Sequence, residues 1–156
     1  MYETIDLWNV EGNAHLTLRV AGYQFPDSPE EDWLLIDLAV YHAGQCFEHI
    51  DSAMEVNELL DLRNWFHDLL HRRLPKYATV YFTEPCLTFC FLRSSPEHVR
   101  VGIELDAELK PPFPLHQFGF ESPTWRIVFD LSNEQPRTVV AVLDQSLLQY
   151  PARDAG

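Results

Sequence analysis

The sequence predicts an α+β protein: mainly antiparallel β-sheet of about eight strands, one long central helix and a C-terminal helix. Three observations carry this. Apolar and polar residues alternate in separate runs on both sides of the middle of the chain, the period-2 pattern of half-buried strands. One stretch, Ala53 to Arg72, instead repeats apolar residues at three- and four-residue intervals. No repeat, low-complexity tract or linker interrupts these runs, so residues 1–156 read as a single domain.

The first strand is expected over Thr4 to Asn9, turning at Glu11-Gly12-Asn13 into Ala14 to Ala21, where Leu16, Leu18 and Val20 share a face opposite Thr17 and Arg19. After a loop, Trp33 to Tyr41 sets Leu34, Ile36, Leu38 and Val40 together, and Gly44 permits a turn into Gln45 to Ile50. In the central helix Val56, Leu59, Leu62, Phe66 and Leu69 form the apolar stripe; Ser52 with Glu55 has the form of a capping box, with Asn57 as a competing cap. Leu74-Pro75 ends it. Strands follow over Thr79 to Thr83, Cys86 to Arg93 and His98 to Leu109, then a stiff Pro111-Pro112-Phe113-Pro114 loop and a last strand with Trp125, Ile127, Phe129 and Leu131 inward. In the tail, Thr138 to Val142 is β-branched, as in a strand, yet Val139, Val142, Leu143, Leu147 and Tyr150 fit a helical stripe. Ser132 with Gln135 matches a cap, and Pro136 is tolerated in a first turn. Helix is the expected form.

With 156 residues, 46% hydrophobic and 13% aromatic, the chain is long enough for a core without metal or disulfide. No apolar run spans a bilayer, and Met1 to Asp6 has no signal-peptide character, so a cytoplasmic protein without membrane contact is expected. Cys46, Cys86 and Cys90 form no CxxC; on one strand Cys86 and Cys90 would lie ~13 Å apart, too far to bridge. All three read as buried free thiols. The net charge of −13 is unevenly placed: between Arg19 and Arg63 there is no Lys or Arg, while ten carboxylates occur. Such a segment repels phosphate, which argues against direct nucleic-acid binding, and attracts a basic partner.

The loop Gly22-Tyr23-Gln24-Phe25-Pro26-Asp27, continued by Ser28-Pro29-Glu30-Glu31-Asp32, puts two aromatics and four carboxylates into eleven residues. Phe25 and Trp33 suit either core or contact roles. The carboxylates have no cation nearby in sequence and are expected in water. The run GYQFPD, an acidic spacer and DWLLIDLAV resembles the opening of the WapI-like bacterial immunity proteins, antitoxin partners of polymorphic contact-dependent toxins. Glu58 to Phe66 is similar to that family's EL..L..WL helix, Phe82 to Phe89 to its F.EP.L.F strands, and Tyr150-Pro151-Ala152-Arg153 to its FP.R end. The resemblance implies an immunity protein that binds the C-terminal domain of a cognate toxin, a nuclease with a basic cleft, and blocks it stoichiometrically. The residues expected to meet this partner are Tyr23, as anchor, with Asp27, Glu30, Glu31, Asp32, Glu55 and Glu58.

Other chemistry has weaker support. His67 and His71 stand at i and i+4, as in a zinc helix, but Asp68 replaces the needed glutamate and Arg72 and Arg73 would repel a cation. Glu104, Asp106 and Glu108 are expected on one strand face, ~6 to 7 Å apart, and offer the rival reading of a small ligand-binding or hydrolytic domain. No nucleophile elbow, P-loop, dinucleotide fingerprint or zinc ribbon occurs. Catalytic residues, cofactor and metal are all expected to be absent.

Overall fold

A computed structural model of the chain describes residues 3–153. Met1 and Tyr2, on which the leader expectation partly rests, lie outside them. Strands β1 (Ile5–Trp8), β2 (Ala14–Tyr23), β3 (Trp33–His42) and β4 (Gln45–Glu55) form an antiparallel meander in chain order. Helix α1 (Val56–Leu70) follows directly. The second sheet has the order β10-β7-β6-β5, from β5 (Thr79–Val80), β6 (Leu87–Ser94), β7 (His98–Leu105) and β10 (Trp125–Ser132). A small hairpin, β8 (Leu115–Gln117) with β9 (Phe120–Ser122), lies between β7 and β10 in sequence, and α2 (Gln135–Gln149) closes the order.

Alternation dictates the packing. In β2 and β3 the register pairs Leu16 with Val40, Leu18 with Leu38 and Val20 with Ile36, so these buried residues make one inward face. In the second sheet Val99, Val101, Ile103 and Leu105 of β7 stand opposite Leu131, Phe129, Ile127 and Trp125 of β10. Both faces join the stripes of α1 and α2 in one contiguous core. Phe66 of α1 is fully buried, edge-on to Trp65 at 5.1 Å and to Phe89 of β6 at 5.9 Å. Arg63 of α1 bonds Asp144 of α2 at 2.8 Å, and the Val10 amide donates to the Val128 carbonyl at 3.1 Å, linking the first sheet to β10.

The predicted class holds, and each departure in the elements has a structural cause. Strand β4 runs on to Glu55 because a bulge inserts one extra residue: Ile36 pairs with Asp51 but Leu34 pairs with Met54. The shift in face parity makes Ser52 to Met54 mimic a helix start. The cap therefore lies three residues later than expected: Glu55 is the N-cap, and Glu58 reaches back to its amide at 2.9 Å. Strand β5 stops at Val80 because the Thr83 amide and hydroxyl bond Glu58 rather than β6. The alternation after Leu105 becomes a 3-10 turn, Ala107–Leu109. The Pro-rich segment leads into the unpredicted β8–β9 hairpin, whose turn residues Phe118 and Gly119 have φ of 54° and 80°, with the Phe118 amide donating to Glu11 at 2.5 Å. In the tail, Val139, Val140 and Val142 are buried against the core as part of a helix, so packing overrides their strand preference. Pro136 sits in the first turn, and Gln135 accepts from the Ser132 amide at 2.9 Å, although the N-cap is Glu134.

Phe66 fills the space between α1 and β6, so Phe66→Ala is expected to cost about 3–5 kcal/mol of unfolding free energy, read as a lower denaturant midpoint with an unchanged slope.

Candidate functional site

The loop 24–32 joins β2 to β3, and its conformation is set by a residue from the other end of the chain. The guanidinium of Arg153 donates to the carbonyls of Phe25 and Pro26 at 3.1 Å, of Ser28 at 3.2 Å, and of Glu31. Its Nε and its backbone amide bond the Asp32 carboxylate at 3.3 and 3.1 Å. Its flat face lies 3.7 Å from the centroid of the Tyr23 ring, a stacked cation–π contact. Tyr23 in turn meets Tyr150 edge-on at 5.4 Å and donates its hydroxyl to the Pro151 carbonyl at 2.5 Å. Burial pushes the Tyr23 phenol above its ordinary value, against the opposing pull of Arg153.

The seven residues expected to meet a partner gather at this end of the first sheet. Trp33 pairs with Glu55 in register, and the Asp32 carbonyl accepts the Val56 amide at 3.1 Å, which joins the loop to the start of α1. Within the group their surroundings differ. Asp27, Glu30 and Glu31 are exposed; Glu55 is half-buried. Asp32 is not solvated alone, as expected from its neighbours in sequence, because folding brings Arg153 to it across 121 residues. Glu58 is engaged on both oxygens, by the Glu55 amide and by Thr83. Tyr23 has its face and hydroxyl occupied. Of the residues left open between core and contact, Phe25 is exposed and Trp33 half-buried.

The Glu104, Asp106 and Glu108 row does not exist as expected. Strand β7 ends at Leu105; Asp106 caps the 3-10 turn by accepting the Ala107 amide at 2.9 Å, and Glu108 lies within that turn. Glu104 alone stays on the strand, opposite Arg126 and Thr88. His67 and His71 face each other at 3.1 Å between ring nitrogens, and partial burial, then Arg63, holds the His67 imidazole below its ordinary value. Among the described residues no group of three or more His, Cys, Asp or Glu is placed to hold a metal ion. No helix among them is long and apolar enough to cross a membrane.

The thiols also correct the expectation. Cys86 and Cys90 are buried, but Cys46, on the outer face of the edge strand β4, is exposed. Burial, reinforced by Asp51, pushes the Cys86 thiol up to about 12. Sequence reading missed two further features: the Arg153 partner of the loop, signalled only by the family-like Tyr150-Pro151-Ala152-Arg153 end, and a groove flanked by Tyr77 and Tyr81, tyrosines outside every apolar pattern.

Arg153→Ala removes the guanidinium donor of four loop carbonyls and leaves Asp32 with only the backbone amide of residue 153, so it is expected to cost about 1–3 kcal/mol. Hydrogen exchange in residues 24–32 should accelerate while the second sheet keeps its protection, and Arg153→Lys should restore little of it. In native protein at about pH 8, Cys46 alone should react with a thiol reagent, with Cys86 and Cys90 following only after unfolding.

A family model described as the immunity protein WapI-like family matches residues 7–151. Comparisons with curated proteins and with solved structures return no match. The matched span runs from within β1 through both sheets and helices to Pro151, two residues short of Arg153, and the chain belongs to the immunity protein WapI-like family.

Proposed function

We propose that the chain is an antitoxin that binds the C-terminal domain of a cognate polymorphic toxin in the cytoplasm and blocks it by protein–protein contact, without catalysis. The observation that carries this reading is the family match over residues 7–151. An acidic chain suits a basic partner, and a toxin that cleaves nucleic acid holds phosphates in a basic cleft that carboxylates can occupy. Asp27, Glu30 and Glu31 are the exposed charges of the loop, while Tyr23 and Asp32 hold it in shape around Arg153. A pre-shaped loop loses little entropy on binding, so its charge acts on encounter with the partner. Glu55 and Glu58 extend the same acidic end along the start of α1.

The test is co-expression with the C-terminal domain of the protein encoded immediately upstream of the gene: growth should be arrested by that domain alone and restored by the intact chain. With both proteins purified, replacing Asp27, Glu30 and Glu31 by Lys is expected to slow association about tenfold or more at low salt and to flatten its salt dependence. An unchanged rate removes the loop from the interface.

A further inference from the structure

Helix α1 and the segment that follows it border a groove of about 730 Å³, lined by Asp61, Asn64, Trp65 and Asp68 on the helix side and by Lys76, Tyr77 and Thr79 to Tyr81 on the other. Both ends of the second wall are pinned to the helix. The Trp65 indole donates to the Tyr77 carbonyl at 3.0 Å, and Glu58 accepts from the Thr83 amide at 2.8 Å. These bonds fix the position of the wall relative to α1. Its two tyrosines are far more exposed than packing requires, Tyr77 at 64% and Tyr81 at 76%, above the buried Trp65.

The chemistry of the lining selects an occupant. Two aromatic rings and the Asp61 carboxylate, which has no ion pair among the described residues, favour a cation, which gains from the ring faces and from charge pairing together. The charged groups facing the groove are Asp61, Asp68 and Lys76, and Asp68 also reaches Arg73 at 3.5 Å. Lys76 already places its ammonium 5.4 Å from the Tyr77 ring centroid, so the protein's own cation marks how that ring accepts charge. A tethered, exposed lysine is easily displaced by a better-oriented guanidinium.

We propose that this groove receives an arginine or lysine side chain of the toxin domain, seated against Tyr77 and Tyr81 and paired with Asp61. The inference rests on the partner reading above and adds the anchor that the acidic loop lacks. Exposed tyrosines over a fixed floor bury large area at small entropic cost, the usual character of interface hot spots.

The test uses the full chain and the purified C-terminal domain of the protein encoded upstream. Tyr81→Leu is expected to weaken Kd about 10- to 100-fold, chiefly through faster dissociation, with Tm unchanged because the ring is exposed; Tyr81→Phe, which keeps the π face, should recover most of the affinity. Asp61→Asn should weaken binding about fivefold or more, and Lys76→Ala should leave it unchanged or tighter. If Tyr81→Leu and Asp61→Asn bind within twofold of the unmodified chain while the loop charge reversal slows association, the groove is not the anchor and the antitoxin reading stands. If Leu recovers as much affinity as Phe, the occupant is apolar and the cation proposal fails. If the unmodified chain does not bind that domain at all, the antitoxin reading falls and this inference with it.

Discussion

A guanidinium has five N–H donors and no acceptor, and in this protein almost every one of Arg153's donors is spent inside the loop 24–32. Without a cation, a loop that turns several carbonyls and a carboxylate toward one point would be held apart by their mutual repulsion and its backbone acceptors left to water. With Arg153 in place the same groups close around a planar ion, and Tyr23 covers its face. Asp32 then connects this socket to the rest of the fold, since its carbonyl receives the first amide of α1. The β2–β3 loop, the beginning of α1 and the chain's last described residues are therefore one arrangement. The two most recognisable pieces of sequence, GYQFP and the Tyr150 to Arg153 tail, meet in one stacking and hydrogen-bonding contact, to which Asp32 adds the ion pair.

That arrangement also explains what was legible in the sequence. Patterns that depend on neighbouring residues were readable: the alternation of Leu16, Leu18 and Val20, of Leu34 to Val40, and of Val99 to Leu105 places their buried faces correctly, and the stripe from Val56 to Leu69 marks α1. Local pattern failed where local geometry breaks its period. The bulge opposite Leu35 hid the second half of β4, and the 3-10 turn after Asp106 kept an alternating sequence while abandoning the strand. The β8–β9 hairpin escaped notice because its turn places a phenylalanine, rather than Asn or Asp, in a left-handed conformation, held by Glu11 from a distant turn. Long-range partners left no periodic trace at all: the pairing of Asp32 with Arg153 and of Glu58 with Thr83 exists only after folding.

The consequence for the acidic surface is a division among residues that composition treats alike. Asp32 and Glu58 satisfy backbone and cationic donors inside the molecule, and charge there stabilises geometry. Asp27, Glu30 and Glu31 have their side chains in water on a backbone already fixed by Arg153, so their charge projects outward from a defined position. Counting carboxylates between Arg19 and Arg63 measures the field of the whole segment without separating these two uses.

Two features of one helix then complement each other. At its start, Glu55 and Glu58 continue the acidic end of the first sheet; from Asp61 to Asp68 its exposed residues face the tyrosines of the segment after it. Glu58 belongs to both, since one oxygen caps α1 and the other holds Thr83 and with it the tyrosine-bearing wall. Solvated charges act at distances up to about a Debye length and so influence the rate of encounter, whereas a groove with aromatic walls acts only on contact and so influences how long a complex lasts. A binder needs both, and an all-carboxylate surface cannot supply the second, because carboxylates lose hydration as they gain partners. The attachment of the tyrosine wall through Trp65 and Glu58 is made as the chain folds, so the groove proposed as the partner's contact has its ordering cost met before binding.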